Sequence, residues 1–221
     1  MKVSIAIDGP AAAGKSTVAK KVAEVLGITY IDTGAMYRAF TWYAMEKGVD
    51  CQNEIECVKL IPEVEIELKP NHIIFCNGKD VSELIRMPRV SANVSYIASY
   101  KQIRLFLVDQ QRKLAEHESV VMDGRDIGTY VLPNADVKIY QIATVETRAV
   151  RRYEENIGKG IECKLEDIEE DVRKRDYIDS HRDFAPLKPA PDSVLLDTSY
   201  LSINESVEAV LDIIKKNMGE K

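Results

Sequence analysis

The first 25 residues, MKVSIAIDGPAAAGKSTVAKKVAEV, restrict this chain to few folds. Val3, Ile5 and Ile7 stand among Ser4 and Ala6 in a short apolar run that stops at Asp8, the pattern of a buried parallel strand. Behind it comes Gly9-Pro10-Ala11-Ala12-Ala13-Gly14-Lys15-Ser16-Thr17, which fits GxxxxGK(S/T). Val18, Val22, Val25 and Leu26 then recur at helical spacing, with Lys20, Lys21 and Glu24 on the opposite side. A strand, a glycine-flanked turn and a helix N-terminus in this order gather unpaired N–H groups and the positive end of the helix dipole at one point, which favours a bound phosphate. Lys15 adds a full charge there, and the Ser16 hydroxyl can ligate Mg²⁺. Gly9 to Thr17 is therefore the candidate cradle for a phosphoryl donor, with three alanines where many such loops carry glycine or serine.

A chain of 221 residues can bury a full core, and one α/β domain is expected over 1–221. The net charge of −6 argues against general nucleic-acid binding, which needs a basic face. No run approaches the ~20 apolar residues of a membrane span, and the N-terminus enters a strand directly, so neither an anchor nor a signal peptide is expected. Cys51, Cys57, Cys76 and Cys163 form no CxxC pair and no zinc spacing, as suits free thiols in a reducing cytoplasm. The arginines cluster from Arg148 onward, and positive charge gathered inside an acidic protein points to a small anionic ligand.

Ile28 to Ile31 reads as a second strand delivering Asp32-Thr33-Gly34-Ala35-Met36-Tyr37-Arg38 to a helix capped by Asp32 or Thr33, with Arg38 one turn inside. Val64 to Leu68, a turn at Pro70-Asn71, Ile73 to Cys76 and the hairpin signal Asn77-Gly78 make a small antiparallel excursion, a natural place for a substrate flap. Helices are expected over Pro88–Ala98, carrying Ser91 and Ser95 on one face, and over Gln102–Glu116, carrying Arg104, Arg112 and Lys113. Val120-Val121-Met122-Asp123 resembles the strand ending in aspartate that helps to hold a nucleotide's metal, and Gly124-Arg125-Asp126-Ile127-Gly128 follows. Ligands of open α/β sheets bind beyond the carboxyl ends of the strands, so Asp123, Arg125 and Asp126 should share a crevice with Lys15.

After a strand over Val137–Ile142, a helix places Arg148, Arg151 and Arg152 at i, i+3 and i+4, on one face. Asn156 to Gly160 suits a lid tip, and the helix from Leu165 to Arg182 aligns Arg175, Asp179 and Arg182. Acid-before-base pairs such as Glu169 with Arg173 stabilise an exposed helix without any function, by roughly 0.2–0.5 kcal/mol each. Two helices aligning arginines across a glycine-flanked tip favour a phosphate-gripping lid. Pro186, Pro189 and Pro191 stiffen the connection to a last strand over Ser193–Leu196, and Ser202-Ile203-Asn204-Glu205 is a capping box opening a terminal helix.

Taken together, IDGPAAAGKST, IDTGAMYR, NGKDVSELIR, MDGRDIGT, RKRDYIDSHR and APL resemble the cytidylate kinases over nearly the whole chain. The resemblance implies a three-layer P-loop fold with a parallel central sheet, a monophosphate-binding insertion at 63–85 and a lid at 148–175. It implies phosphoryl transfer from ATP, with Mg²⁺, to CMP or dCMP, by a cytoplasmic monomer without nucleic-acid or membrane partners. Lys15, Asp123, Arg125, Arg148 and Arg152 would serve the transfer itself, and Arg151 would join the loop in holding ATP. Arg38, Arg125 and Arg182 would grip the acceptor phosphate, Ser95, Arg104 and Asp126 would read the cytosine, and Arg175 and Asp179 would address the sugar. Thr33 stands where many relatives have serine, which keeps a hydroxyl and crowds the acceptor pocket slightly. A kinase for another small acceptor would need a different polar set in the pocket. A nucleotide-operated switch would leave the arginine-rich second half without a task, and no (N/T)KxD guanine signature is present.

Overall fold

The computed structural model describes residues 2–69 and 73–219, so the turn expected at Pro70-Asn71 lies outside the described residues. Five parallel strands form the central sheet: β1 (Ser4–Asp8), β2 (Thr29–Asp32), β6 (Val120–Gly124), β7 (Val137–Ile142) and β8 (Val194–Asp197), in the order β2-β6-β1-β7-β8. Because β1 is central, its end sets the level of the others: Asp8 lies opposite Gly124 on one side and Tyr140 on the other, while Asp32 lies opposite Asp123. The polar residues that end the first three strands therefore emerge together at one rim.

Helices cover both faces of this sheet, which is why its strands read as continuous apolar runs. On one side Ile5, Ile7, Val121, Val137 and Ile139 pack on Val18, Val22 and Ala23 of α1 (Lys15–Leu26) and on Val207, Val210 and Ile214 of α8 (Ile203–Gly219). On the other, Ala6, Ile31, Val120 and Met122 meet Val108 and Ala115 of α5 (Lys101–Ala115). The capping box forms as expected: Ser202 N–H donates to Glu205 at 2.8 Å and Glu205 N–H donates to Ser202 Oγ at 3.2 Å.

The excursion forms its own antiparallel sheet of β3 (Ile66–Lys69), β4 (Ile73–Cys76) and β5 (Lys79–Asp80). It packs through Ile66 and Ile74 on Phe40 and Trp42 of α2 (Thr33–Glu46), in a cluster shared with Val90 and Ile97 of α4 (Pro88–Ile97). Its first strand starts later than the alternating glutamates suggest, because Ile61–Glu63 form a 3₁₀ turn containing Pro62. The short helix α3 (Glu54–Lys59) was not expected; six residues are too few to display a period.

The arginine-bearing helices α6 (Val145–Gly158) and α7 (Leu165–His181) pack on each other through Ala149, Ile168 and Val172, and Ala12 of the glycine-flanked loop joins this small cluster. Asn156 to Gly160 is not a free tip: α6 continues through Gly158, and the Asn156 carbonyl accepts from both Lys159 and Ile161 N–H to close its end. Among the described residues no helix is long and apolar enough to cross a membrane.

Candidate active site

The site lies at the rim where the strands end. Gly9 leaves β1 with φ 151°, and a Cβ there would run into the Gln141 carbonyl oxygen, so the loop can pass β7 only as glycine. Gly14 caps α1 in the left-handed region with φ 85°, and Ala12 adopts φ 58° although it carries a Cβ. The loop has no polar side chain of its own between Gly9 and Gly14. Its backbone is held from outside instead. The Pro10 carbonyl accepts from Lys15 Nζ at 2.7 Å, the Ala11 carbonyl from Arg148 at 2.9 Å and the Ala13 carbonyl from Gln141 at 2.7 Å.

A cavity of 760 Å³ opens above this loop. Ala12 through Thr17 line one end, Ser95, Arg104 and Asp126 line it too, and Arg38, Arg125, Arg152, Arg175 and Arg182 all face into it. Thus the three arginines expected to hold the acceptor share one space with Lys15. Arg151 also lines the cavity, next to Leu201, Ser202, Ile203 and Ser206.

The charges are arranged in pairs. Asp126 joins Arg104 and Arg182, the latter at 3.1 Å, and the side chains of both arginines are only 1% exposed. Arg104 also donates to the Ala98 carbonyl, and Arg182 donates to that of Ala185. Arg125 donates to Asp179 at 2.9 Å, and Arg38 to Asp32 at 2.9 Å. Burial acts to raise the Asp179 carboxyl, but Arg125, Arg182 and Arg175 hold it below the usual range. Arg175 forms no ion pair among the described residues, and its Nε is buried without a partner. Burial, reinforced by Arg125, pulls its guanidinium down to about 10. A cationic group that is half-buried, without an ion pair and with its Nε shielded from water gains from an arriving anion.

At the loop end Asp123 accepts from Ser16 Oγ at 2.8 Å and from the Tyr30 hydroxyl at 2.7 Å. Burial and the neighbouring Asp32 push its carboxyl upward against the pull of Lys15, while burial and Arg125 hold the Lys15 ammonium well below the usual lysine range. Among the described residues no three His, Cys, Asp or Glu side chains gather to hold a metal. Mg²⁺ takes one or two protein oxygens and completes its shell with water and phosphate. Ser16 Oγ and Asp123 are the oxygens at the loop end that could serve such an ion.

Several residues stand differently from expectation. Arg148 does not line the cavity: it is 4% exposed, donates to the Ala143 and Ala11 carbonyls and pairs with Asp176 at 2.6 Å, so its guanidinium braces the loop's back and is not placed to touch a phosphate. Gly9, Pro10 and Ala11 likewise sit behind the lining surface, with Ala11 fully buried. Of the two residues offered as helix cap, Asp32 does it, accepting from Ala35 N–H at 2.8 Å; Thr33 is buried, lines the cavity and donates to the Asp123 carbonyl at 2.7 Å. Ser91 and Ser95 both line the cavity.

Sequence reasoning passed over Asp8, Tyr30, Tyr37, Gln141 and Asp176. The Asp8 carboxylate accepts from Ile127 and Gly128 N–H, both at 2.7 Å, and so fastens the end of β1 to the loop bearing Arg125 and Asp126; burial pushes it up to about 7. Its one available signal was a charged residue closing an otherwise apolar strand.

The family model for cytidylate kinase matches residues 5–216. The cytidylate kinase of Anoxybacillus flavithermus is 51% identical over 220 residues, covering 98% of each chain, and that of Geobacillus kaustophilus is 51% identical over 221 residues, covering 99% of each. Among solved structures, a gluconokinase from Sinorhizobium meliloti shares the fold with a TM-score of 0.53 at 13% identity, over 97% of this chain and 92% of its own. With the matched model spanning almost the full length and relatives at half identity, the chain belongs to the cytidylate kinase family.

Proposed function

We propose that this protein transfers the γ-phosphoryl group of ATP to CMP or dCMP, giving ADP and CDP or dCDP. The observation that carries the reading is the single cavity in which the phosphate loop with Lys15, the Arg104–Asp126 pair and seven further guanidinium groups meet. ATP places its phosphates over Ala12 to Thr17, with Lys15 on the terminal ones and the base toward Arg151 and Leu201. Mg²⁺, held through Ser16 and Asp123, would neutralise charge on the donor phosphates.

An acceptor that is already a phosphate monoester needs no strong base, but its negative charges need partners. Arg38, Arg125 and Arg182 supply them, Arg152 faces the transferring group, where positioning and charge neutralisation dominate the catalysis, and Arg175 addresses the sugar. Asp179, beside Arg125, is available to the sugar hydroxyls. At the far end Asp126 accepts from the cytosine amino group, Arg104 donates to the ring acceptors and Ser95 completes the set. Uracil would turn its O4 acceptor toward the Asp126 carboxylate, so the base is selected by repulsion.

The sheet of 63–85 serves as the acceptor-side flap and the helices of 148–175 as the lid that excludes water. The free thiols suit a reducing cytoplasm, and the expected monomeric state is checked by light scattering. The function itself is tested by coupling ADP release to ATP with each common monophosphate in turn. CMP and dCMP should exceed UMP, AMP and GMP by about a hundredfold or more in kcat/KM. A higher rate with any other monophosphate overturns the assignment.

A further inference from the structure

Ala11 is gripped at both of its backbone polar groups by the lid helices. Its N–H donates to Asp176 Oδ1 on α7 at 3.1 Å, and its carbonyl accepts from Arg148 Nη1 on α6 at 2.9 Å. Arg148 and Asp176 close the triangle through their own 2.6 Å ion pair, and Arg148 is further fixed by donating to the Ala143 carbonyl beyond β7. On the other side of Ala12, the Ala13 carbonyl is held by Gln141. Between these two fixed points Ala12 sits at φ 58°, a conformation that a residue with a Cβ keeps only where its surroundings impose it. The Ala12 methyl in turn packs on the lid cluster of Ala149, Ile168 and Val172.

We propose that Asp176, with Arg148, is a positioning pair that imposes the phosphate-binding shape of the loop from the lid side. In a loop without polar side chains, the orientation of its N–H groups toward phosphate then depends on α7. The same helix presents Arg175 and Asp179 to the cavity, so the element expected to engage the acceptor also shapes the donor cradle. This inference deepens the proposed phosphoryl transfer, but donor-phosphate affinity can be read without any acceptor.

The test compares wild type with Asp176→Ala, Asp176→Asn and Asp176→Ala/Ala12→Gly, each shown to be folded by circular dichroism below its melting temperature. Titration calorimetry with ADP and with AMP separates phosphate-cradle affinity from base affinity. Asp176→Ala should weaken ADP about tenfold, the scale of a released left-handed residue, and leave AMP within about twofold. Asp176→Asn, which can still accept from Ala11 but no longer neutralises Arg148, should fall between. Adding Ala12→Gly should recover part of the ADP loss, because glycine holds φ 58° without the Cβ penalty. Unchanged ADP affinity in folded Asp176→Ala, equal losses for ADP and AMP, or no recovery with Ala12→Gly would each overturn the positioning role. Should wild type prove not to phosphorylate CMP while the ADP pattern holds, the proposed function falls and the positioning pair stands.

Discussion

Asp126→Asn is the perturbation with the largest calculable consequence. It removes the carboxylate that pairs with both Arg104 and Arg182, whose side chains are each 1% exposed, while that of Asp126 is 5% exposed. Solvent reaches these groups only through the cavity they line, so two poorly screened cations are left facing each other across a neutral amide. Breaking a buried pair from one side costs about 3–5 kcal/mol, and the hydrogen bonds that both arginines keep to the Ala98 and Ala185 carbonyls favour the lower end. For a chain of this size each kcal/mol moves the melting temperature by roughly 2–4 °C, so a fall of about 6–12 °C is expected in thermal unfolding followed by circular dichroism. Removing one cation as well, in Asp126→Asn/Arg104→Met, should recover part of this fall, since the coupling energy of such neighbours is about 0.5–3 kcal/mol. In the kinetic assay the CMP-to-UMP preference should shrink in the single variant, because an amide can donate to O4 of uracil. A melting temperature within about 2 °C of wild type, or a double variant destabilised by the full sum of the singles, would show that the three groups are not an interdependent buried network.

Three further outcomes follow from the geometry. Burial raises Asp8 from 3.8 to about 7, so the folded protein keeps a proton there that the unfolded chain gives up; the stability this adds is full below about pH 4, declines as pH rises and is gone above about pH 7. Asp8→Asn should flatten that part of the stability-versus-pH curve measured by urea unfolding, and an unaltered slope would reject the assignment. Gly124→Ala should destabilise by about 1–3 kcal/mol, because its Cβ would lie 2.7 Å from Ile127 Cδ1 and 2.8 Å from Thr33 Oγ1; an unaffected urea midpoint would count against this packing. Arg182→Ala should raise the CMP KM by about tenfold to a hundredfold with little change for ATP, and an unchanged CMP KM would remove Arg182 from the acceptor site.

What the chain declares openly is the part governed by local rules. The strand, loop and helix around Gly9 to Ser16, the reciprocal cap of Ser202 and Glu205, and the alignment of Arg175, Asp179 and Arg182 each follow from spacing within a few residues. Partner choice across the fold does not. Arg148, Arg151 and Arg152 share a helical face, yet that face is wide enough for Arg148 to meet Ala11 while its neighbours turn to the cavity. Nothing near Asp176 in sequence announces that it binds an amide 165 positions away. The aspartate closing β1 looked like a strand end, and only the parallel register with β6 brings Ile127 and Gly128 within its reach.

The same long-range pairing bears on how an anionic acceptor is selected. Arg38, Arg125 and Arg182 are each already matched to a carboxylate, Asp32, Asp179 and Asp126 respectively. These matches hold the guanidinium groups in place, so less side-chain freedom remains to be lost when a phosphate arrives. They also make the incoming anion compete with resident carboxylates, which lowers affinity for any single small anion. In the proposed reading a nucleotide would overcome that competition by engaging the far end at Arg104 and Asp126 as well as the phosphate-side arginines, with Arg175, half-buried and without an ion pair among the described residues, adding charge between them. On that reading, selectivity would rest on satisfying both ends at once, since inorganic phosphate would reach only one and free cytidine only the other.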